Sequence, residues 1–401
     1  FLGKDYKVMS SYGHIRDLKK KEISIFYILF LNLCITVLGV LLNIDTVDIA
    51  FGIKYIIRNI VLVIATLGFL TSDIDLSRKE IDKLFEFFTV LQLFSFVLVL
   101  MTGIHIYMCT ILTKTAIINT GQYVKLGGIL IPRFSGTCSE AGYLAPLFVI
   151  TTYYYLKQYI CLTSAKEKRK ALYFLIAIMV MTIFTFSTAC YGFVAVVAVV
   201  TYLKNSKRKS SVTILLIFGG IVFLVVLILI GNNEIREFFY ENFINKVTFY
   251  FSGSTSSSYM NWSAMDRTQH ITYAVKLIKK SSLEQIFLGR GTGAYSYLAN
   301  KNSKLLVTGV EEAYNLFLST LIDRGLIGFG CLFALLFYCY KNWVRNDIYS
   351  TALFIGILSQ FAHWMITGNF WLYYFWYEVL FLLGYKRWII GVKREKQKLN
   401  N

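Results

Sequence analysis

Long apolar stretches alternate with short polar segments along most of this 401-residue chain. Ten stretches approach the roughly 20 residues that an α-helix needs to cross a hydrocarbon core. They occupy residues 23–44, 47–70, 84–108, 140–162, 171–187, 189–203, 211–231, 313–340, 349–367 and 369–391. Charged residues make up only 16% of the chain, against about 25% in soluble globular proteins. The pattern predicts an all-α, polytopic membrane helix bundle.

The apolar stretch 171–203 has to contain two helices rather than one. As a single helix it would extend about 50 Å, whereas the hydrocarbon core is about 30 Å thick. Basic residues flank both of its ends, which favours the same side of the membrane for both. We therefore expect the chain to fold back near Ser187, Thr188 and Ala189.

One long segment, residues 232–312, is mostly polar and separates the seventh apolar stretch from the eighth. Long connections without a simple linker composition usually carry function. We therefore divide the chain into an N-terminal membrane bundle (1–231), a large loop (232–312) and a C-terminal bundle with a basic tail (313–401).

The net charge of +18 arises mostly in alternate connecting segments. More than half of the 41 basic residues fall in 1–22, 71–83, 163–170, 204–210, 341–348 and the C-terminal tail. The positive-inside rule places these segments and both termini in the cytoplasm, and both long loops outside. This explanation is favoured over nucleic-acid binding. The seven scattered cysteines are typical of small buried side chains.

The outer segment 109–139 is amphipathic, and we expect it to lie at the interface or to re-enter the membrane. Arg133 at its end either anchors among headgroups or binds a diphosphate through two parallel hydrogen bonds. Glu140 follows at the start of an apolar stretch. Its carboxylate either favours a helix N-terminus or acts as a base or as an orienting partner of Arg133.

The long loop contains an amphipathic helix with Asp266 and Arg267 at its head. Its apolar positions recur at helical spacing: Ile271, Ala274, Val275 and Ile278. Further on, glycines at 289, 291 and 293 surround Arg290. No predicted strand precedes them and no GK[ST] follows, so the pattern predicts a turn, although a contact between Arg290 and an anion stays open.

Glu311 and Glu312 lie just before apolar sequence resumes. Either is a candidate general base if burial raises its pKa, or else an acid at headgroup level. The four histidines form no cluster at metal-ligand spacing, and His363 is assigned to packing. The sequence therefore predicts neither a metal nor a cofactor.

Five elements, in order along the chain, resemble motifs of the membrane polysaccharide polymerase and O-antigen ligase superfamily, the Wzy and WaaL proteins. Residues 133–140 resemble its R-x-x-G-x-x-x-E/N element, and 186–192 its S-x-S-R-G hairpin turn. Residues 267–274 resemble R-x-x-x-W-x-x-A, 288–293 a G-x-G-x-G turn, and 313–328 the H-N-x-x-L…E-G-I-x-G element. The resemblance covers roughly residues 120–335.

Two positions depart from the family's pattern. Cys190 replaces the arginine of the hairpin turn, and Tyr314 replaces the histidine that is the proposed base of the ligases. Both departures favour a polymerase over a ligase. They leave the base open among Glu140, Glu312 and Asp266.

The resemblance implies a metal-independent, GT-C-like glycosyltransferase in the bacterial cytoplasmic membrane. Its donor would be an undecaprenyl-diphosphate-linked glycan, and its acceptor a lipid-linked repeat unit. Arg133, Arg267 and Arg290 would supply cations to the diphosphate leaving group, and Tyr314 and Asn315 would contact substrate. Membrane lipids and a chain-length regulator are expected partners, whereas nucleic acid is not.

Two other functions stay open from the sequence. A ligase would transfer the finished glycan to lipid A core or another acceptor. A flippase or other transporter would place charges inside its spans and have related halves. Lys54 and Arg58, one turn apart in the second stretch, are the exception among otherwise apolar spans and form a candidate lipid-phosphate site.

Overall fold

The computed structural model describes residues 12–72, 74–106, 118–119, 122–126, 129–138, 140–205, 262–302, 304–305, 310–368 and 373–400. The predicted seventh span, 211–231, and the first part of the long loop lie outside these residues. Every other predicted span coincides with a helix. The total of ten spans stays a prediction.

The described helices follow one another as α1 (Tyr12–Leu42), α2 (Ile49–Thr71), α3 (Arg78–Thr102), α4 (Ala145–Cys161), α5 (Ala165–Phe184), α6 (Thr188–Asn205), α7 (Trp262–Lys279), α8 (Leu283–Leu288), α9 (Ala294–Asn300), α10 (Leu316–Asn342), α11 (Ile348–His363) and α12 (Tyr373–Asn400). Four of them are long and apolar enough to cross a membrane: α1 over Ile23–Leu42, α2, α3 and α10. The protein is therefore an all-α membrane protein. Local sequence sets several helix starts, as where Ser77 and Glu80 form a capping box at α3.

Helix α4 lies at the centre of the larger core and packs against α5, α6 and α11. Its side chains are buried on every face from Ala145 to Thr152, as expected of a helix surrounded by other helices. Phe148, Tyr154 and Tyr155 are almost fully buried there. On another side of the molecule, α1 packs against both α2 and α10.

The predicted division of residues 171–203 into two helices near Ser187 is confirmed. Helix α5 ends at Phe184, and α6 begins at Thr188. Between them Phe186 has φ of +46°, a left-handed conformation that is uncommon for a residue with a side chain. Ser187 donates its backbone N–H to the hydroxyl of Thr185 at 3.2 Å. This turn is one wall of the site described below.

The segment before α4 contains strands, which the sequence analysis did not predict. Strand β1 (His105–Ile106) pairs with β2 (Ile118–Asn119), and β3 (Gln122–Leu126) pairs with β4 (Ile129–Arg133), both antiparallel. In the sequence, Gly127 and Gly128 separate two short runs rich in β-branched residues. That arrangement is a hairpin signal, but the amphipathic character of the whole segment obscured it.

Candidate active site

Arg133 ends β4 and is held against the turn between α5 and α6. Its Nε donates a hydrogen bond to the backbone carbonyl of Thr185 at 3.0 Å, and Phe134 N–H donates to the carbonyl of Phe184 at 2.8 Å. Burial lowers the pKa of the Arg133 guanidinium; Glu140 opposes this shift and Arg267 adds to it. Arg133 therefore carries its charge in a partly desolvated place, close to a second guanidinium.

Arg267 comes from the long loop, in the first turns of α7, and reaches the same place. Its guanidinium carbon lies 5.5 Å from the ring centroid of Tyr314, within cation–π range. Arg267 also acts electrostatically on Arg133 and on His363. Two arginines that face each other repel, and an anion between them would remove that repulsion.

Tyr314 contacts both Arg267 and Asp266 of α7, and its backbone has an unusual conformation. Its φ is +52°, which costs energy for a residue other than glycine. The hydroxyl hydrogen-bonds to the carboxylate of Asp266, and burial together with that carboxylate raises the tyrosine pKa to about 12. The proton therefore stays on Tyr314 at neutral pH.

A chain of polar side chains continues behind Tyr314. Asp266 is 7% exposed, and its carboxylate lies 3.4 Å from Nε2 of His270. His270 in turn shares a hydrogen bond with the hydroxyl of Tyr295 at 2.6 Å. The predicted base Asp266 thus lies between Tyr314 and His270, where its carboxylate orients Tyr314. Its role as a base stays a prediction.

Glu140 has the exposure that Asp266 lacks. It stands at the start of a short 3₁₀ helix (Ala141–Leu144), in an extended conformation and without a side-chain capping hydrogen bond. Its exposed carboxylate acts electrostatically on both Arg133 and Tyr314. Of the three predicted bases, Glu140 is therefore the one that is exposed and acts on Arg133.

His363, which the sequence assigned to packing, borders the same site. It is 1% exposed, and its ring meets that of Tyr143 edge-on at 5.8 Å. A Cβ added at Gly142 would lie 3.5 Å from His363 Nε2 and 3.7 Å from Ser187 Oγ. The small residue lets the 3₁₀ helix approach both groups. Nothing in the local sequence of α11 indicated this neighbourhood.

Glu312 lies in another group of charges. The groups that act on it are Arg324, Asp323, Glu311 and Arg58, and burial raises its pKa to about 8. Its carboxylate packs against the backbone of Gly368. The neighbouring Glu311 forms an ion pair with Lys54 at 2.8 Å. The two acids at the end of the long loop therefore face a different cluster from Arg133 and Arg267.

Arg290 and Asn315 are also occupied by structural contacts. Arg290 donates from Nη2 to the hydroxyl of Ser281 at 3.2 Å and to the carbonyl of Leu277 at 3.3 Å, which ties α7 to the glycine turn. Asn315 accepts from the N–H of Leu318 at 3.0 Å as the N-cap of α10, and donates to Met365 O at 2.9 Å. Their predicted contacts with substrate stay predictions.

The carboxylate of Asp323 binds the backbone N–H groups of the glycine turn (289–293). The sequence pattern did not single out this residue. Asp323 accepts hydrogen bonds from the N–H groups of Gly293 at 3.1 Å and Tyr295 at 3.0 Å. Gly289 and Gly325 both have positive φ, and a Cβ on Gly325 would lie 2.5 Å from the backbone nitrogen of Gly289. The turn thus packs directly against the backbone of α10. Its N–H groups at Gly293 and Tyr295 bind the carboxylate of Asp323.

Among the described residues, no group of three or more His, Cys, Asp or Glu side chains has the geometry to hold a metal ion. Two guanidiniums, a carboxylate and a tyrosine instead meet where β4, α7 and the loop before α10 converge. The cationic groups suit an anionic ligand, and the helices suit a lipid-linked one. Fold and site together describe a helical membrane protein with a cationic centre between the loop helix α7 and the bundle.

Residues 172–333 match the family model described as O-antigen ligase. The matched range contains the α5–α6 turn, Asp266, Arg267, the glycine turn and the start of α10. Over this range the chain is similar to the O-antigen ligase and polymerase superfamily, a class of bacterial membrane enzymes. No curated protein shows a significant match to the chain.

Proposed function

We propose that the protein polymerises undecaprenyl-diphosphate-linked oligosaccharide repeat units into a surface polysaccharide. The observation that supports this most directly is the meeting of Arg133 and Arg267 beside Glu140 and Tyr314. An arginine pair suits a diphosphate because each planar guanidinium can donate two parallel hydrogen bonds. In this proposal the anomeric carbon of the donor would lie beside the carboxylate of Glu140 and the phenol of Tyr314.

In the proposed reaction, a hydroxyl of the acceptor's terminal sugar attacks the anomeric carbon of the donor. A new C–O bond forms, and the bond between that carbon and the diphosphate oxygen breaks. Its electron pair leaves with undecaprenyl diphosphate, whose charge Arg133 and Arg267 stabilise without a metal. Glu140 takes the proton of the attacking hydroxyl. Asp266 and His270 hold Tyr314 in place.

The membrane arrangement completes the proposal. Ten GT-C-like spans, with both termini in the cytoplasm, would place the site at the outer face of the cytoplasmic membrane. The long loop between spans seven and eight would lie over the bundle, where Arg267 reaches Arg133. Lipid-linked donor and acceptor would enter from the bilayer, and a chain-length regulator is the expected protein partner.

A ligase is the second candidate, since the matching family model is described as O-antigen ligase. Such an enzyme would use the same arginine pair but transfer the glycan to an acceptor other than a repeat unit. Tyr314 at the histidine position, with its pKa raised to about 12, is a poor base. This observation favours the polymerase, in which Glu140 supplies that role.

The decisive experiment incubates the full chain in detergent with a lipid-linked repeat unit and without nucleotide. A ladder of longer glycans is the expected product. Arg133→Ala and Arg267→Ala should abolish it, whereas Arg345→Ala, at an exposed arginine beyond the end of α10, should not. Transfer only to lipid A core would establish the ligase. Translocation in liposomes without any transfer would establish a transporter and overturn the proposal.

A further inference from the structure

Gly142 has an open side between two polar atoms at the edge of the candidate active site. It lies in the 3₁₀ helix (Ala141–Leu144), two residues after Glu140, and is partly exposed. A Cβ built on it would lie 3.5 Å from Nε2 of His363 and 3.7 Å from Oγ of Ser187. No other described atom outside this stretch of chain lies within 4 Å of that position. The missing side chain therefore leaves room for a small group between the imidazole and the hydroxyl.

The Nε2 atom of His363 has no hydrogen-bond partner among the described residues, although the residue is only 1% exposed. Its other ring nitrogen, Nδ1, lies 3.4 Å from the hydroxyl oxygen of Thr367, and that hydroxyl donates to the carbonyl of His363 at 3.2 Å. The proton of the neutral imidazole is therefore placed on Nδ1, which leaves Nε2 as an acceptor. Since a buried acceptor without a donor is costly, a ligand that supplies a donor would bind favourably here.

Ser187 supplies the complementary group. Its Oγ accepts from the N–H of Cys190 at 3.4 Å, and its hydroxyl proton has no acceptor among the described residues. Nε2 of His363 and the Ser187 hydroxyl thus offer one acceptor and one donor. A hydroxyl group of a ligand matches both, because it can donate to the nitrogen and accept from the serine. An ionised phosphate fits less well, because it has no proton to donate to Nε2.

The end of α11 is joined to the segment that carries Tyr314, which places His363 beside the arginine pair. Leu316, two residues after Tyr314, donates its N–H to the carbonyl of Trp364 at 2.9 Å. Arg267, whose guanidinium lies over the ring of Tyr314, also acts electrostatically on His363. The open side of the 3₁₀ helix is therefore part of the same site and not a separate cavity.

We propose that Gly142, Ser187 and His363 form a subsite that binds one hydroxyl group of the acceptor's terminal sugar. The inference rests on the proposed function, whose acceptor it describes in more detail. The acceptor is favoured over the donor because Glu140, the proposed base, precedes Gly142 by only two residues. Neighbouring hydroxyls of one sugar ring could then reach both places. Holding one of them would orient the ring so that the attacking hydroxyl faces Glu140.

Gly142→Ala tests the subsite by filling it. The assay uses the lipid-linked repeat unit as donor and the same oligosaccharide on an octyl chain as acceptor, which cannot act as a donor because it has no diphosphate. The added methyl group should raise KM for the octyl acceptor about tenfold, the effect of leaving one buried polar group unpaired. KM for the donor should not change. Gly330→Ala in α10 is the matched control, because a Cβ there meets no described atom within 4 Å.

His363→Leu is the second variant, because it removes Nε2 but keeps an apolar side chain beside the rings of Tyr143 and Phe193. It should raise the same KM. Combining it with Gly142→Ala should raise KM less than the sum of the two single effects, because both variants remove one contact. If His363 serves packing alone, His363→Leu changes the melting temperature but leaves acceptor KM equal to that of the wild type, which would overturn the proposal.

The subsite and the proposed function fail in different ways. Equal acceptor KM in Gly142→Ala and Gly330→Ala would overturn the subsite and leave the transfer reaction standing. If the wild type transfers nothing, the proposed function fails, and saturation-transfer NMR with the octyl glycoside still tests the subsite. A signal that Gly142→Ala abolishes and Gly330→Ala keeps would support the subsite. Equal signals in the two variants, or no signal in the wild type, would overturn it.

Discussion

The guanidinium of Arg267 lies over the ring of Tyr314, 5.5 Å from its centroid. One residue belongs to the long loop helix and the other to the segment that leads into α10. The same tyrosine is hydrogen-bonded to Asp266, a neighbour of Arg267 in the chain. Helix α7 and the segment before α10 therefore meet at an aromatic side chain whose backbone has a positive φ.

Tyr314→Phe should keep the ring under Arg267 but remove the hydrogen bond to Asp266. A typical hydrogen bond contributes about 1 kcal/mol, so we expect a fall of roughly five- to tenfold in glycan polymerisation. The measurement is the initial rate of ladder formation. Tyr173→Phe, at a largely exposed tyrosine of α5, is the control. A rate equal to wild type would show that the hydroxyl has no part in the reaction.

Glu140→Gln should lower the rate of transfer by about 100-fold or more, the usual contribution of a general base. Binding of the lipid-linked donor should change little, because the arginine pair remains. Single-turnover rates and donor affinity measured in parallel separate the two effects. If Glu312→Gln lowers the rate more than Glu140→Gln does, Glu312 is the base and the assignment of Glu140 is wrong.

Glu312 should make the protein's stability depend on pH. Its pKa rises from 4.5 to about 8 on folding, so the folded state holds a proton that the unfolded state has lost between these values. Stability should therefore fall as pH rises from about 4.5 through 8. Melting temperatures in detergent from pH 5 to pH 9 test this. Glu312→Gln should show a shallower slope, and parallel slopes for the two proteins would count against the shift.

Asp323→Asn should loosen the glycine turn. Asparagine keeps the shape but removes the charge that accepts from Gly293 and Tyr295, and hydrogen bonds to charged groups contribute about 1.5–3 kcal/mol. We expect a lower melting temperature and easier proteolysis of the 283–302 region. Asp45→Asn, at an exposed aspartate, should leave both unchanged. An unaltered melting temperature in Asp323→Asn would mean that the turn is held elsewhere.

The helices could be predicted from the sequence because apolar runs of membrane length leave few alternatives. The break near Ser187 followed from length and flanking charge alone, and the convergence of Arg133 with Arg267 agrees with the motif resemblance. Each of these rests on a local signal or on a recurring pattern of residue types.

Other parts of the site depend on contacts that no local pattern records. Glu312 and Tyr314 are only two positions apart, yet Glu312 faces Arg324 and Arg58 whereas Tyr314 faces Arg267. Asp323 could not be linked to the glycine turn, since the partners are about thirty residues away and act through backbone N–H groups. His363 stands in an apolar helix whose sequence predicts only packing.

The crossing of Gly289 and Gly325 has a consequence for anyone who would modify this protein. Two main chains touch there with no side chain between them, and the N–H groups of Arg290 and Gly291 donate to the carbonyls of Ile322 and Asp323. A reporter or affinity tag inserted into 289–293 would push the loop off the bundle. The same insertion ahead of α7 would leave this joint intact.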